Sequence, residues 1–185
     1  MTTVFISGSM GIKNLDKKIV QKIDSIIERN HKVIVGDASG VDSSIQKLLK
    51  QKEYKNVTVF CSGNTVRNNI GKWPVNRVVV EDTTSNARLF YTAKDLQMAK
   101  TCDVGFMVWD SKSTGTLSNI LELLKQQKNS LVFINKLKGF KKVCNLSDFE
   151  ELVSIMNNNS LEKADKKIRI KSKISTLKQM ELFPV

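Results

Sequence analysis

Three short stretches concentrate the residues able to do chemistry. They are SGSMG (Ser7 to Gly11), GDASGVD (Gly36 to Asp42) and DSKSTGT (Asp110 to Thr116), each at the end of an apolar run. Glycine lets a backbone approach a ligand closely, helix starts present free N–H groups to anions, and Ser and Thr hydroxyls add donors. One such loop is explained by a tight turn. Three on alternating units point to a shared rim that holds a phosphate-bearing ligand. Asp37 and Asp110 close their runs, and Asp42 ends the second loop. A carboxylate at such a place can cap a turn, hold a ligand, or serve as acid or base.

A fourth group lies in ARLFYTAKDLQMAKTCD. Helical spacing puts Leu89, Ala93, Leu96 and Ala99 inward and Arg88, Tyr91, Asp95 and Met98 on the adjoining flank. A charge there needs a partner or a pocket. Arg88 suits a phosphate and Asp95 a ribose or base; a purely structural ion-pair network is the alternative. The polar stretch CSGNTVRNNIGKW adds Arg67, Asn68, Asn69 and Trp73 as residues able to cover a ligand.

Several chemistries are disfavoured. SGSMGIK does not complete G-x-G-x-x-G, and NNIGKW lacks the first glycine and the Ser/Thr of a P-loop. An ordinary dinucleotide dehydrogenase or NTPase is therefore not expected. Cys61, Cys102 and Cys144 form no C-x-x-C pair, and His31 is the single histidine, so no metal site and no cofactor is called for. The three thiols read as small buried hydrophobes of a reducing compartment, and Cys61 has no histidine to activate it.

The loops need strands and helices to position them. TVFIS, KVIVG, NVTVF, NRVVVE, DVGFMVW and SLVFIN read as six strands. Helices fall between them: one after Asn14 with Leu15, Ile19, Ile23, Ile26 and Ile27 at helical spacing, then 42–51, 86–101 and 116–127, with a last one over 146–156. Strands alternating with helices predict parallel βαβ units. Continuous apolar runs fit strands covered on both faces. The expected fold is α/β, a doubly wound, mostly parallel, Rossmann-like sheet whose ligands bind beyond the strands' carboxyl ends.

VFISGS, VIVGDASGVDSSIQKLL and SKSTGTLSNI, in this order, resemble the SLOG superfamily. That group includes the Lonely-guy phosphoribohydrolases, the DNA-processing protein of natural transformation and nucleotide-sensing domains. The second stretch is particularly similar to the DNA-processing branch, and the resemblance spans about Thr3 to Asn135. It implies a nucleotide, a nucleotide-derived signal or DNA at the rim, with Gly8, Ser9, Gly36, Asp37, Gly40, Ser113, Gly115 and Thr116 lining it. Members often dimerise, which implies a homodimer.

One departure bears on the reaction. The phosphoribohydrolase pattern carries a glutamate three residues after Gly-Thr, where this chain has Asn119. Asn can hydrogen-bond a ribose but cannot be a base or nucleophile. If an N-glycosidic bond is broken, another carboxylate must stabilise the oxocarbenium-like charge or activate water. Asp110 and Asp37 are the catalytic candidates. Binding is the leading expectation, N-glycosidase or phosphoribohydrolase activity the alternative.

The net charge is +12 over 185 residues, which favours anionic partners, although lysines on helix faces also serve solvation. No apolar run is long enough for a membrane span, and the chain enters its first strand at once, so a cytoplasmic protein is expected. Residues 1–158 read as the domain and 159–185 as a basic, flexible tail, with a short helix near Leu161 to Ile168. The tail's QMELF resembles the peptide by which bacterial replication proteins bind the sliding clamp. It implies Gln179, Met180, Leu182 and Phe183 as a partner-binding element and a third alternative, a DNA-associated module.

Overall fold

The structure, a computed structural model, describes residues 1–80 and 87–182, and for 87, 88 and 180–182 the backbone alone. Among the described residues seven strands form one sheet: β1 (Thr3–Gly8), β2 (Lys32–Gly36), β3 (Val57–Ser62), β4 (Val75–Val78), β5 (Val104–Trp109), β6 (Ser130–Ile134) and β7 (Gly139–Val143). Their order is β4-β3-β2-β1-β5-β6-β7, all parallel except the β6–β7 pair. Alternate side chains of each strand face opposite layers. Val4, Ile6, Val33 and Val35 pack under α1 (Lys17–Glu28) and α2 (Val41–Gln51). Phe5, Ile34, Met107 and Trp109 pack under α3 (Ala87–Thr101), α4 (Thr114–Lys125) and α5 (Leu146–Ser154). The expected doubly wound sheet with helices on both faces is the observed one.

The sequence outline did not include β7. GFKKV alternates half-buried and exposed positions and exposes a lysine at the sheet's antiparallel edge, where charge blunts pairing with other chains. α1 starts later than expected, because the Asp16 carboxylate rather than Asn14 accepts from the Lys18 N–H.

The segment from 159 onward, expected as a basic flexible tail with a short helix near Leu161 to Ile168, is helical in its described residues, and α6 (Asn158–Ile168) contains that helix. Asn157 caps α6 through Ser160 N–H, and α7 (Ile170–Leu182) follows. Ala164, Ile168 and Ile170 are buried in the α3–α5 layer, and Ile174 and Leu177 pack against it. Each buried isoleucine contributes about 1.5–3 kcal/mol, enough to dock helices rich in lysine. The clamp-like residues Gln179, Met180 and Leu182 belong to the last turn of α7. The side chains of Met180 and Leu182, and Phe183 altogether, lie outside the described residues.

On α3 the inward face is rotated from the expected one. Leu89 and Leu96 are exposed, whereas Lys94, Met98 and Ala99 are buried. Tyr91 is also exposed. The physical reason is electrostatic: Lys94 turns inward to meet carboxylates at the sheet's end. The thiols divide as well, Cys61 and Cys102 buried but Cys144 exposed, against the expectation for the last. Among the described residues no helix is long and apolar enough to cross a membrane.

Candidate functional site

The chain leaves β1 toward β2 in one direction and leaves β5 toward β6 in the other. Beyond the carboxyl ends of these adjacent strands opens a cleft of ≈ 690 Å³. A reversal of strand order is where open α/β sheets hold ligands, because the diverging connections leave a gap. Ser7, Gly8 and Gly11 line its middle, the Asp110–Thr116 loop one end, and Asp42, Lys94, Asp95, Arg67 and Tyr91 the other.

The β5 end is built by local backbone chemistry. Asp110 Oδ1 accepts from the N–H groups of Lys112 and Ser113 (2.9 and 2.7 Å). Ser113 caps α4, its Oγ accepting from Thr116 N–H and Thr116 Oγ1. The buried Trp109 indole donates to Ser113 C=O at 3.1 Å and pins the loop to the core. The start of α4 therefore faces the cleft at Thr114, Gly115 and Thr116. A Cβ on Gly115 would meet nothing within 4 Å, so this glycine leaves open space beside the helix start. Lys112, and Lys163 and Lys167 of α6, add cations. Asn119 is nearly buried, lines the cleft and donates to Ser7 Oγ at 3.4 Å.

The β2 end is built by buried charges. Lys94, 3% exposed, donates to Asp95 Oδ1 at 2.7 Å and lies 4.0 Å from Asp42 Oδ2. Burial pushes the Asp42 carboxyl up to about 6, against the pull of the Lys94 ammonium. Burial pulls the Lys94 ammonium down, but Asp95, Asp42 and Asp37 outweigh it and hold it above its ordinary value. Asp42 Oδ2 accepts from Ala38 N–H at 3.4 Å, while Oδ1 is buried without a partner among the described residues.

Asp37 has a different task. Both its oxygens accept from Arg67: Oδ2 from the backbone N–H and Nε, Oδ1 from Nη2. Burial raises the Asp37 carboxyl, yet the Arg67 bonds and charge win and lower it. Asp37 does not line the main cleft; with Arg67 it borders a smaller neighbouring one. A carboxylate held ionised and fully bonded in this way is a poor base, which removes the physical ground for its catalytic candidacy. Arg67 also stacks on Tyr91, 4.6 Å from the ring centroid.

Three expected ligand contacts are packing residues instead. Ser9 is fully buried, its Oγ accepting from Asp110 N–H at 3.0 Å and lying 3.5 Å from Thr116 Oγ1, so it ties the first loop to the third. A Cβ on Gly36 would collide with Asp42 Oδ2 and with Lys94 Nζ, so this glycine makes room for the charge cluster. Gly40 caps α2 at φ +80°, with Met10 backbone where a Cβ would stand. Gly8, Asp42, Asp95, Ser113, Gly115, Thr116 and Asn119 do line the cleft. Arg88 lies on α3, and its side chain is outside the described residues.

Sequence reasoning missed Lys94 and Gln46. Gln46, buried, donates to Gly36 C=O and Asn68 C=O and accepts from Ile70 N–H, clamping the polar loop to β2. Trp73 is buried, its indole donating to Tyr54 C=O, so it is core rather than cover. Asn69 braces Trp73, and Asn68 donates to Asp37 C=O. Among the described residues no cluster of His, Cys, Asp and Glu could hold a metal ion. No protein-family model matches the chain, and no curated protein matches it in sequence.

Proposed function

We propose that the cleft binds a nucleotide or a nucleotide-derived ligand, as a domain of the SLOG kind. The observation that carries this is the pairing, at the switch point, of an open helix start with cations. The α4 start at Thr114 to Thr116 lies beside Lys112 and Lys163, which suits a phosphate. Tyr91, half exposed and backed by Arg67, offers a flat face for a base at the rim. The cleft volume lies within the range of small-molecule sites, about 300–1,000 Å³.

Cleavage of an N-glycosidic bond is the second reading, and Asp110 carries it. Its Oδ1 is tied to the loop, while Oδ2 forms no hydrogen bond among the described residues and lies on the Gly11 side of the cleft. Calorimetric titration with the four ribonucleoside 5′-monophosphates tests binding; heats absent for all four at millimolar ligand count against it. Chromatography of the same mixtures tests cleavage. Free base released by the wild type and not by Asp110→Asn supports the second reading, and no release removes it.

A further inference from the structure

We propose that Asp42 Oδ1 receives a sugar hydroxyl of the bound ligand, so that the cleft selects a nucleotide with an intact ribose diol. This rests on nucleotide binding in the cleft and names the part of the ligand read there. Asp42 is 2% exposed, and Oδ1 is buried without a partner among the described residues although it belongs to a cleft-lining side chain. A buried carboxylate oxygen left without a donor is costly, and such exceptions point to a role in binding or chemistry. Its other oxygen is already served by Ala38 N–H and the Lys94 ammonium. One acceptor therefore waits for one donor.

The donor's identity follows from position. Asp42 sits on the β2 side of the cleft and the α4 start on the β5 side, with β1 between. Two strand spacings make roughly 10 Å, which side chains on both sides shorten to a gap that a phosphorylated pentose fills. A flat base fits the open rim at Tyr91, and a nearly buried carboxylate admits only a small group such as a hydroxyl. The ammonium of Lys94 repels a metal cation from the same oxygen.

The groups facing Asp42 are Lys94 and Asp95 of α3, Asp37 at the end of β2 and Arg67 of the polar loop. A hydroxyl donates best to an ionised carboxylate, so binding tightens as pH rises through Asp42's titration. A ligand phosphate titrates in the same range, and a dideoxy analogue reports that contribution alone.

The test is calorimetric titration of the full chain with ribonucleoside 5′-monophosphates and their 2′,3′-dideoxy counterparts. At pH 7.5 the ribonucleotide that binds is expected to exceed its dideoxy form by about tenfold or more. The ratio is expected to shrink toward pH 5 and to fall within about threefold in Asp42→Asn. A ribonucleotide and its dideoxy form binding equally to the wild type overturn the proposal while leaving nucleotide binding intact. No binding of any of them removes both. If Asp42→Asn fails to fold, the wild-type ratio across pH still tests the proposal: a preference that does not shrink toward pH 5 overturns it, as does one that survives in a folded Asp42→Asn.

Discussion

The two ends of the cleft solve the same problem by different physics. At the β5 end, Asp110, Ser113 and Thr116 lie within seven residues and satisfy one another's backbone and side-chain groups. At the β2 end, Asp37, Asp42, Arg67, Lys94 and Asp95 come from three stretches far apart in the chain and hold one another by charge. A locally closed loop keeps its shape whatever surrounds it. A buried charge cluster keeps its shape only while every member is present, because each ion removed leaves another uncompensated. The first end is thus self-contained, and the second depends on all of its members.

Removing the central cation breaks this contrast most sharply. Lys94→Met leaves Asp42 and Asp95 without their ammonium and is expected to lower stability by about 3–5 kcal/mol, read from urea denaturation. A loss under about 1 kcal/mol would show that the β2 end does not depend on mutual charge.

Next comes the pH response. Asp42 titrates near 6 in the fold against 3.8 as its ordinary value. Between those values the folded chain binds the extra proton, so stability falls as pH rises from about 4 to 6, by on the order of 3 kcal/mol. Asp42→Asn is expected to remove that decline; a wild-type curve already flat across the window would contradict the buried, destabilised carboxylate.

Arg67→Ala probes the neighbouring pair. Asp37's depressed carboxyl gives stability that is present above its ordinary range and is lost as pH falls through its folded value. The variant is expected to lose about 1–3 kcal/mol at pH 7, the partial exposure of Arg67 reducing the figure, and to lose that acid step. The smallest effect belongs to the β5 end. Gly115→Ala meets open space and is expected to leave stability unchanged or raised by about 0.4–1 kcal/mol. Its methyl group nevertheless narrows the phosphate subsite proposed at the α4 start, so nucleoside monophosphate affinity is expected to fall. Unchanged affinity would place the phosphate elsewhere.

The same contrast explains what could be read from the sequence. The sheet followed from continuous apolar runs such as DVGFMVW, whose buried faces leave few alternatives, and the β5 loop followed from residues adjacent in the chain. The β2 end was legible only in part. Asp42 and Asp95 were singled out for their chemistry, but Lys94 was not, since a lysine in a helix ordinarily marks the solvated face. Its inward turn depends on carboxylates 52 positions earlier and one later, Asp42 and Asp95. Nothing local distinguishes Gly36 as a ligand contact from Gly36 as a gap for that cluster. The composition of the last segment concealed its apolar stripe, because Ala164, Ile168 and Ile170 are few among many lysines.

The most direct test is a backbone amide NMR titration with the ribonucleoside 5′-monophosphate that binds best. The largest shifts are expected at Gly8 to Gly11 and Thr114 to Thr116, with saturation at one ligand per chain. Shifts confined to the opposite end of the sheet, around Thr2, Lys22 and His31, or no saturable shifts at all, would contradict nucleotide binding at the switch-point cleft.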